Sequence, residues 1–302
     1  MSSLHQEAPE GPRYLLTPPP PGATPPPRLP RLPQLRESDF LRRACGALAQ
    51  GQKTFVWGNH LRTSLERAAS CQDYVSASHY VTRPVTAEEA TFPLAYIFTL
   101  HKELATFERL FRAVYAPHNV YCIHVDEKVP ARYKQEVEKM LECFPNAFLV
   151  SKAEPVVYAG ISRLQADLNC MKDLLRSTTP WKYVLNMCGQ DFPLKTNKEI
   201  VQHLKKFKGK NLTPGVLPPP PITLRTKFVY KEHIGLKASY MKRTEILKLP
   251  PPHNLTIYFG SAYIALTRPF VEFLFNDSRA IDLLQWSKDT YSPDEHFWVN
   301  GK

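Results

Sequence analysis

From Phe92 onward, short apolar runs alternate with stretches whose apolar residues recur every three or four positions, the pattern of strands and amphipathic helices in a layered α/β domain. Residues 94–99 are the first predicted strand. A helix follows over 102–115, with Leu104, Phe107, Leu110, Phe111 and Val114 on one face and Glu108 four residues ahead of Arg112. Residues 120–125 predict a second strand, 132–141 a helix, 147–150 a third strand, 160–175 a helix and 183–187 a buried fourth strand. Thr196 and Glu199 form a capping box that opens a helix reaching Phe207. Consecutive βα repeats predict a Rossmann-like, mostly parallel sheet flanked by helices, and ligands of such sheets bind at the carboxyl ends of the strands.

That rule singles out Leu100 and His101 after the first strand, Asp126 after the second, and the segment from Cys188 to Asp191 after the fourth. A carboxylate after the second strand of a nucleotide-binding sheet commonly accepts hydrogen bonds from a ribose or base, so Asp126 is a ligand candidate; a plain turn residue is the alternative. No GxGxxG or GxxxxGK[ST] is present, which excludes dinucleotide oxidoreductases and P-loop enzymes. No Asp-X-Asp is present either, so cationic side chains would have to neutralise a nucleotide diphosphate.

The last chemistry-bearing stretch is Trp286 to Trp298, where Asp294 and Glu295 stand side by side between aromatic residues. Desolvation by Tyr291, Phe297 and Trp298 would push a carboxylate pKa up, toward the range of a general base. The local sequence also reads as a helix start, with Ser292 as N-cap, Pro293 at the first helical position and Glu295 as the capping-box glutamate.

Composition changes the picture in three ways. With 302 residues and 43% hydrophobic content, the chain can bury a sizeable core. Its formal net charge of +11 favours an anionic partner, and the lack of base-stacking aromatics interleaved with Lys and Arg ranks nucleic acid low among these. Eleven of the 29 prolines crowd residues 1–38, where almost nothing apolar can be buried, so this segment is expected to be disordered; Pro30 and Pro33 have PxxP spacing. A lead-in region over 39–91 and the catalytic domain over 92–302 complete the expected organisation. No apolar run is long enough to span a bilayer and no signal-peptide pattern opens the sequence. Cys45, Cys71, Cys122, Cys143, Cys170 and Cys188 lack CxxC spacing, which argues for disulfides rather than zinc, and sequons at Asn211, Asn254 and Asn276 lean toward a secretory compartment.

Several of these stretches resemble the animal β-1,6-N-acetylglucosaminyltransferases that branch glycans, the core 2 and I-branching enzymes. The signatures are Phe92 to Tyr96, Tyr121 to Asp126, Val156 to Tyr158, Arg163 to Cys170, Cys188 to Pro193, Phe259 to Tyr263 and Trp286 to Trp298, and the stretches 207–217 and 250–258 are most similar to the I-branching members. The resemblance implies a GT-A glycosyltransferase fold and metal-independent, inverting transfer from UDP-GlcNAc to the 6-hydroxyl of a galactose or GalNAc, with no cofactor. It places Glu295 as catalytic base and Leu100, His101, Asp126 and Tyr158 at donor-binding positions. It also pairs Cys71 with Cys143 and Cys122 with Cys170, leaves Cys188 a free thiol, and implies a galactose-terminated glycan acceptor on a glycoprotein or glycolipid and a Golgi location as a type II membrane protein.

Family members continue past this chain's last residues with a segment that supplies basic residues for the leaving diphosphate, and they begin with a signal anchor that the proline-rich stretch replaces here. The alternative expectation is therefore an inactive, truncated isoform that binds a nucleotide sugar or pairs with a relative. Pro218 to Ile222 stands where core 2 members carry charged acceptor contacts, which favours galactose branching.

Overall fold

The computed structural model describes residues 46, 49–51, 64–235 and 238–300. The proline-rich stretch 1–38 and Cys45 lie outside the described residues, as does part of the segment 39–91. The chain divides into two units, 1–53 and 54–302, and every described strand belongs to the second.

In chain order the elements of the second unit are α1 (Cys71–Ala77), α2 (Ala87–Ala90), β1 (Leu94–Leu100), α3 (Leu104–Val114), β2 (Val120–Val125), α4 (Ala131–Leu141), β3 (Ala147–Leu149), α5 (Ile161–Arg176), β4 (Tyr183–Cys188), α6 (Asn197–Lys206), β5 (Gly215–Val216), α7 (Pro220–Lys227), β6 (Phe228–His233), β7 (Tyr240–Leu247), β8 (Phe259–Gly260), β9 (Ala265–Thr267), α8 (Arg268–Asn276), α9 (Ser278–Ser287) and α10 (Asp294–Asn300). Five strands make the central sheet in the order β3-β2-β1-β4-β9, the first four parallel and β9 antiparallel to β4. This is the expected mostly parallel α/β sheet flanked by helices. A separate antiparallel hairpin, β6–β7, stands outside it.

Burial on both faces explains why β1 is apolar at every position but Thr99 rather than alternating. Its side chains still alternate. Tyr96, Phe98 and Leu100 join a core with Phe107 and Phe111 of α3 and Val137 and Met140 of α4, whereas Ala95 and Ile97 join Leu164, Leu168 and Met171 of α5 on the other side. Phe297 and Trp298 of α10, 1% and 0% exposed, belong to this second core. The short last helix is thus held by two large aromatic side chains, and the residues of its first turn are fixed with it.

The capping box at the start of α6 forms as expected: Thr196 Oγ1 accepts from the Glu199 N–H while the Glu199 carboxylate accepts from the Thr196 N–H. Cys71 and Cys143 form a disulfide, with sulfurs 2.05 Å apart, that ties α1 to the residues just after α4. The other expected pairing is corrected. Cys122 on β2 and Cys170 on α5 meet because α5 packs on β2, but both are free, buried thiols, and desolvation raises the pKa of each. They sit in the apolar second core as small hydrophobic side chains in contact. Asn254 and Asn276 are exposed, while the Asn211 side chain accepts from the N–H and hydroxyl of Thr267.

Candidate active site

The carboxyl ends of β1, β2 and β4 are joined by their backbones. The Asp126 N–H donates to the Leu100 carbonyl at 2.9 Å, and the Gly189 N–H to the Thr99 carbonyl at 3.2 Å. Any side chain at Gly189 would crowd this junction, since a Cβ there would stand 2.7 Å from Cδ2 of Leu100. Leu100 is fully buried and His101 is exposed. Partial desolvation, helped by Lys102, pushes the His101 imidazole below its usual pKa, so it is neutral at neutral pH.

Asp126 makes the contacts of a turn residue: its Oδ1 accepts from the Lys128 N–H at 2.9 Å, and its carboxylate is paired with Lys128 Nζ at 2.8 and 3.0 Å. Lys128 Nζ also donates to the Val156 carbonyl, and two residues further along that loop Tyr158 is 84% exposed. Ala159, in the left-handed region at φ 62°, accepts from the Ser292 N–H at 2.7 Å. Gly160 follows because the carboxylate of Glu232, from the β6–β7 hairpin, occupies the space a Cβ would need. That carboxylate accepts from the backbone N–H and the hydroxyl of Ser162, each at 2.9 Å, and so covers the N-terminus of α5. One loop therefore connects the Asp126 corner, the exposed Tyr158, the hairpin and the segment leading to Glu295.

The geometry at the start of α10 departs from the helix cap written in the local sequence. Ser292 lies in the left-handed region at φ 49°, not in the extended region of an N-cap, and its N–H is taken by Ala159. Glu295 does not fold back to it. Its Oε2 instead accepts from the guanidinium of Arg225, at the end of α7. That guanidinium lies between two aromatic faces, 5.5 Å from the Phe259 ring centre and 5.3 Å from that of Tyr291. Among the described residues Glu295 Oε1 has no hydrogen-bond partner, and the side chain is 30% exposed.

The expected desolvation of a carboxylate falls on Asp294. Phe297 and Trp298 point into the core and Tyr291 faces Arg225, so the buried carboxylate is that of Asp294, 8% exposed and pushed up to about 6 by burial, against the pull of Arg163. Arg163 is itself paired with Asp167 at 2.7 Å, one turn further along α5. Burial also lowers His296 to about 4, with its Nδ1 against the Tyr258 carbonyl at 3.0 Å. Two adjacent carboxylates thus diverge, Asp294 inward and Glu295 outward toward solvent.

Lys128 and Arg225 were not singled out by the sequence, and Asp294 was marked only as the neighbour of Glu295. The i,i+4 spacing of Arg163 and Asp167 was a visible signal for the inner pair. Nothing local marks Arg225, whose partner lies 70 residues away. Cys188, half-buried at the end of β4, accepts from the Tyr263 hydroxyl at 3.5 Å, and the N–H of Cys188 donates to Asp191 at 2.6 Å.

A mostly parallel sheet, with the loop beside its strand ends bonded to the segment that carries an accessible carboxylate, defines an α/β protein of the kind that receives nucleotide-bearing ligands at those strand ends. Residues 94–300 match the family model of the Core-2/I-Branching enzyme, and the chain belongs to that family. It is 59% identical over 265 residues to the N-acetyllactosaminide beta-1,6-N-acetylglucosaminyl-transferase of Mus musculus and 58% identical over 265 residues to that of Homo sapiens. Both alignments cover 88% of this chain and 66% of the relative, so the chain spans just under two thirds of the length of these proteins. The beta-1,3-galactosyl-O-glycosyl-glycoprotein beta-1,6-N-acetylglucosaminyltransferase 3 of Mus musculus is 46% identical over 248 residues, covering 82% of this chain and 55% of the relative. Among solved structures, the UDP-glucose pyrophosphorylase of Leishmania major aligns with 62% of this chain and 53% of its own at 11% identity and a TM-score of 0.33, too slight a likeness to carry an argument.

Proposed function

We propose that this protein transfers N-acetylglucosamine from UDP-GlcNAc to the 6-hydroxyl of a galactose at the end of a glycan, inverting the anomeric carbon and making a β-1,6 branch. The observation that carries this reading is Glu295: an accessible carboxylate on a rigid helix, one oxygen held and the other open, tied through Ser292 and Ala159 to the exposed Tyr158. Glu295 Oε1 takes the proton of the acceptor hydroxyl as its oxygen bonds to the sugar's anomeric carbon; the bond from that carbon to the phosphate oxygen breaks, and UDP leaves with the electron pair. His101, Asp126 and Tyr158 surround the donor, with Leu100 buried behind them at the end of β1, and Lys128, beside Asp126, is a cation near enough to that corner to meet its charge.

The names of the I-branching relatives, N-acetyllactosaminide beta-1,6-N-acetylglucosaminyl-transferases, point to poly-lactosamine as the acceptor class. A Golgi location on a membrane-anchored form belongs to the same proposal; no helix among the described residues is long and apolar enough to cross a membrane. The proposed reaction needs no metal, because the sequence contains no Asp-X-Asp to clamp one against a diphosphate.

The test is transfer from UDP-GlcNAc to a panel of galactose-terminated acceptors, followed by linkage analysis. The wild-type chain is expected to form the β-1,6 product and Glu295→Gln to lose ~10²- to 10⁴-fold in turnover, the range for a positioned general base, while still binding UDP. Absence of product from the wild-type chain, or full activity in the variant, overturns the reading.

A further inference from the structure

We infer that Arg225 is a positioning residue for Glu295, holding one carboxylate oxygen so that the other is presented to the acceptor hydroxyl; this rests on the proposed role of Glu295 as base.

Stability alone does not account for the arrangement. Both partners are partly exposed, Arg225 at 25% and Glu295 at 30%, and an ion pair so open to water contributes little to folding. Yet the arginine is constrained from three sides. Its guanidinium lies between Phe259 and Tyr291, and its own carbonyl accepts from the Tyr291 N–H at 3.3 Å, which fixes the end of α7 against the segment that leads into α10. A planar cation between two rings presents its N–H groups in a fixed direction, which the point charge of a lysine would not do.

Glu295 needs such a partner. It lies in the first turn of α10, its neighbours Phe297 and Trp298 are committed to the core, and among the described residues no backbone N–H donates to its side chain. Free, the carboxylate would rotate among several rotamers with either oxygen outward. Held through Oε2, it keeps Oε1 as the open acceptor in one direction. Orientation is what such a contact supplies, and it is a large effect in a reaction between held groups.

The experiment compares Arg225→Met, Arg225→Gln and Arg225→Lys with the wild-type chain and with Glu295→Gln in the UDP-GlcNAc transfer assay, resolving kcat and acceptor KM. Arg279→Gln serves as control, because Arg279 also pairs with a carboxylate, Asp277, and lies over an aromatic ring, Phe273, away from the site.

Loss of orientation is expected to lower kcat ~100-fold in Arg225→Met and Arg225→Gln with acceptor KM changed less than about threefold, and Arg225→Lys to recover part of the loss. Millimolar guanidinium ion is expected to restore turnover to Arg225→Ala, by filling the space between Phe259 and Tyr291, but not to Arg225→Ala combined with Glu295→Gln. Arg279→Gln is expected to match the wild type. Wild-type turnover in Arg225→Met beside an inactive Glu295→Gln overturns the inference and leaves the base assignment standing. A rise in acceptor KM at constant kcat also overturns it, since Arg225 would then bind acceptor. No transfer by the wild-type chain overturns the base reading and the inference together. If Arg225→Met fails to fold, Arg225→Lys and guanidinium rescue of Arg225→Ala decide: failure of both overturns the inference.

Discussion

Asp294 and His296 flank Glu295 on one helical turn, and burial moves their ionisation in opposite directions. Asp294 has its folded pKa raised from 3.8 to about 6, so its contribution to stability is full below pH 3.8 and is lost as pH rises through 6. His296 has its folded pKa lowered from 6.5 to about 4, so its contribution is full above pH 6.5 and is lost as pH falls through 4. Each shift of roughly two pKa units corresponds to a free energy on the order of 3 kcal/mol, and the two nearly cancel between pH 4 and 6.5. Relative to the wild type over that window, Asp294→Asn is expected to gain stability as pH rises and His296→Gln to lose it. Urea unfolding at several pH values measures both. Parallel curves for all three proteins would show that neither side chain is desolvated as placed here.

At the scale of elements, the loop between β3 and α5 holds the site together, and its anchor is the hairpin carboxylate of Glu232. Glu232→Ala removes two charge-assisted hydrogen bonds from Ser162 at the N-terminus of α5 and is expected to cost about 1–2 kcal/mol, read from the urea midpoint at constant slope. Ser162→Ala combined with it is expected to be less than additive, because the two share one contact; strict additivity would show that they act separately. The strands and helices around this loop were largely legible. A parallel strand buried on both faces is a short apolar run, and the α6 capping box is complete within four residues, so neither needed distant information. The apparent cap at Ser292 failed for the opposite reason. Its backbone turns left-handed because its N–H is claimed by Ala159, a partner that no local pattern announces.

Over the whole molecule the cysteines give a direct check on packing. Cys188 is half-buried and is expected to react with iodoacetamide under native conditions, whereas Cys122 and Cys170, fully buried in the second core, are expected to react only after unfolding. Isolation of a Cys122–Cys170 disulfide peptide from the native protein would overturn their description as thiols. Cleavage of the Cys71–Cys143 bridge, which closes a separation of 72 residues, is expected to destabilise the fold by about 4 kcal/mol in the chain-entropy account, measurable by unfolding with and without reductant. The metal-free proposal has its own test: transfer is expected to persist in excess EDTA, and loss on chelation with recovery on adding manganese would refute it.

The sequence by itself determined the order of β and α elements, the parallel sheet and the positions of its strand ends, because burial periodicity and local caps are written within a few residues. It also determined the family, through long motifs in a fixed order. Tertiary structure decided which of two adjacent carboxylates faces outward, since that depends on Phe297 and Trp298 entering the core and Asp294 meeting Arg163. It decided as well that Glu295 is held by Arg225 rather than by its own helix cap, and that Cys122 and Cys170 meet as thiols. Each of these outcomes depends on segments far apart in the chain, and the energies that set them, desolvation and the pairing of charges, exist only once the chain has brought those segments together.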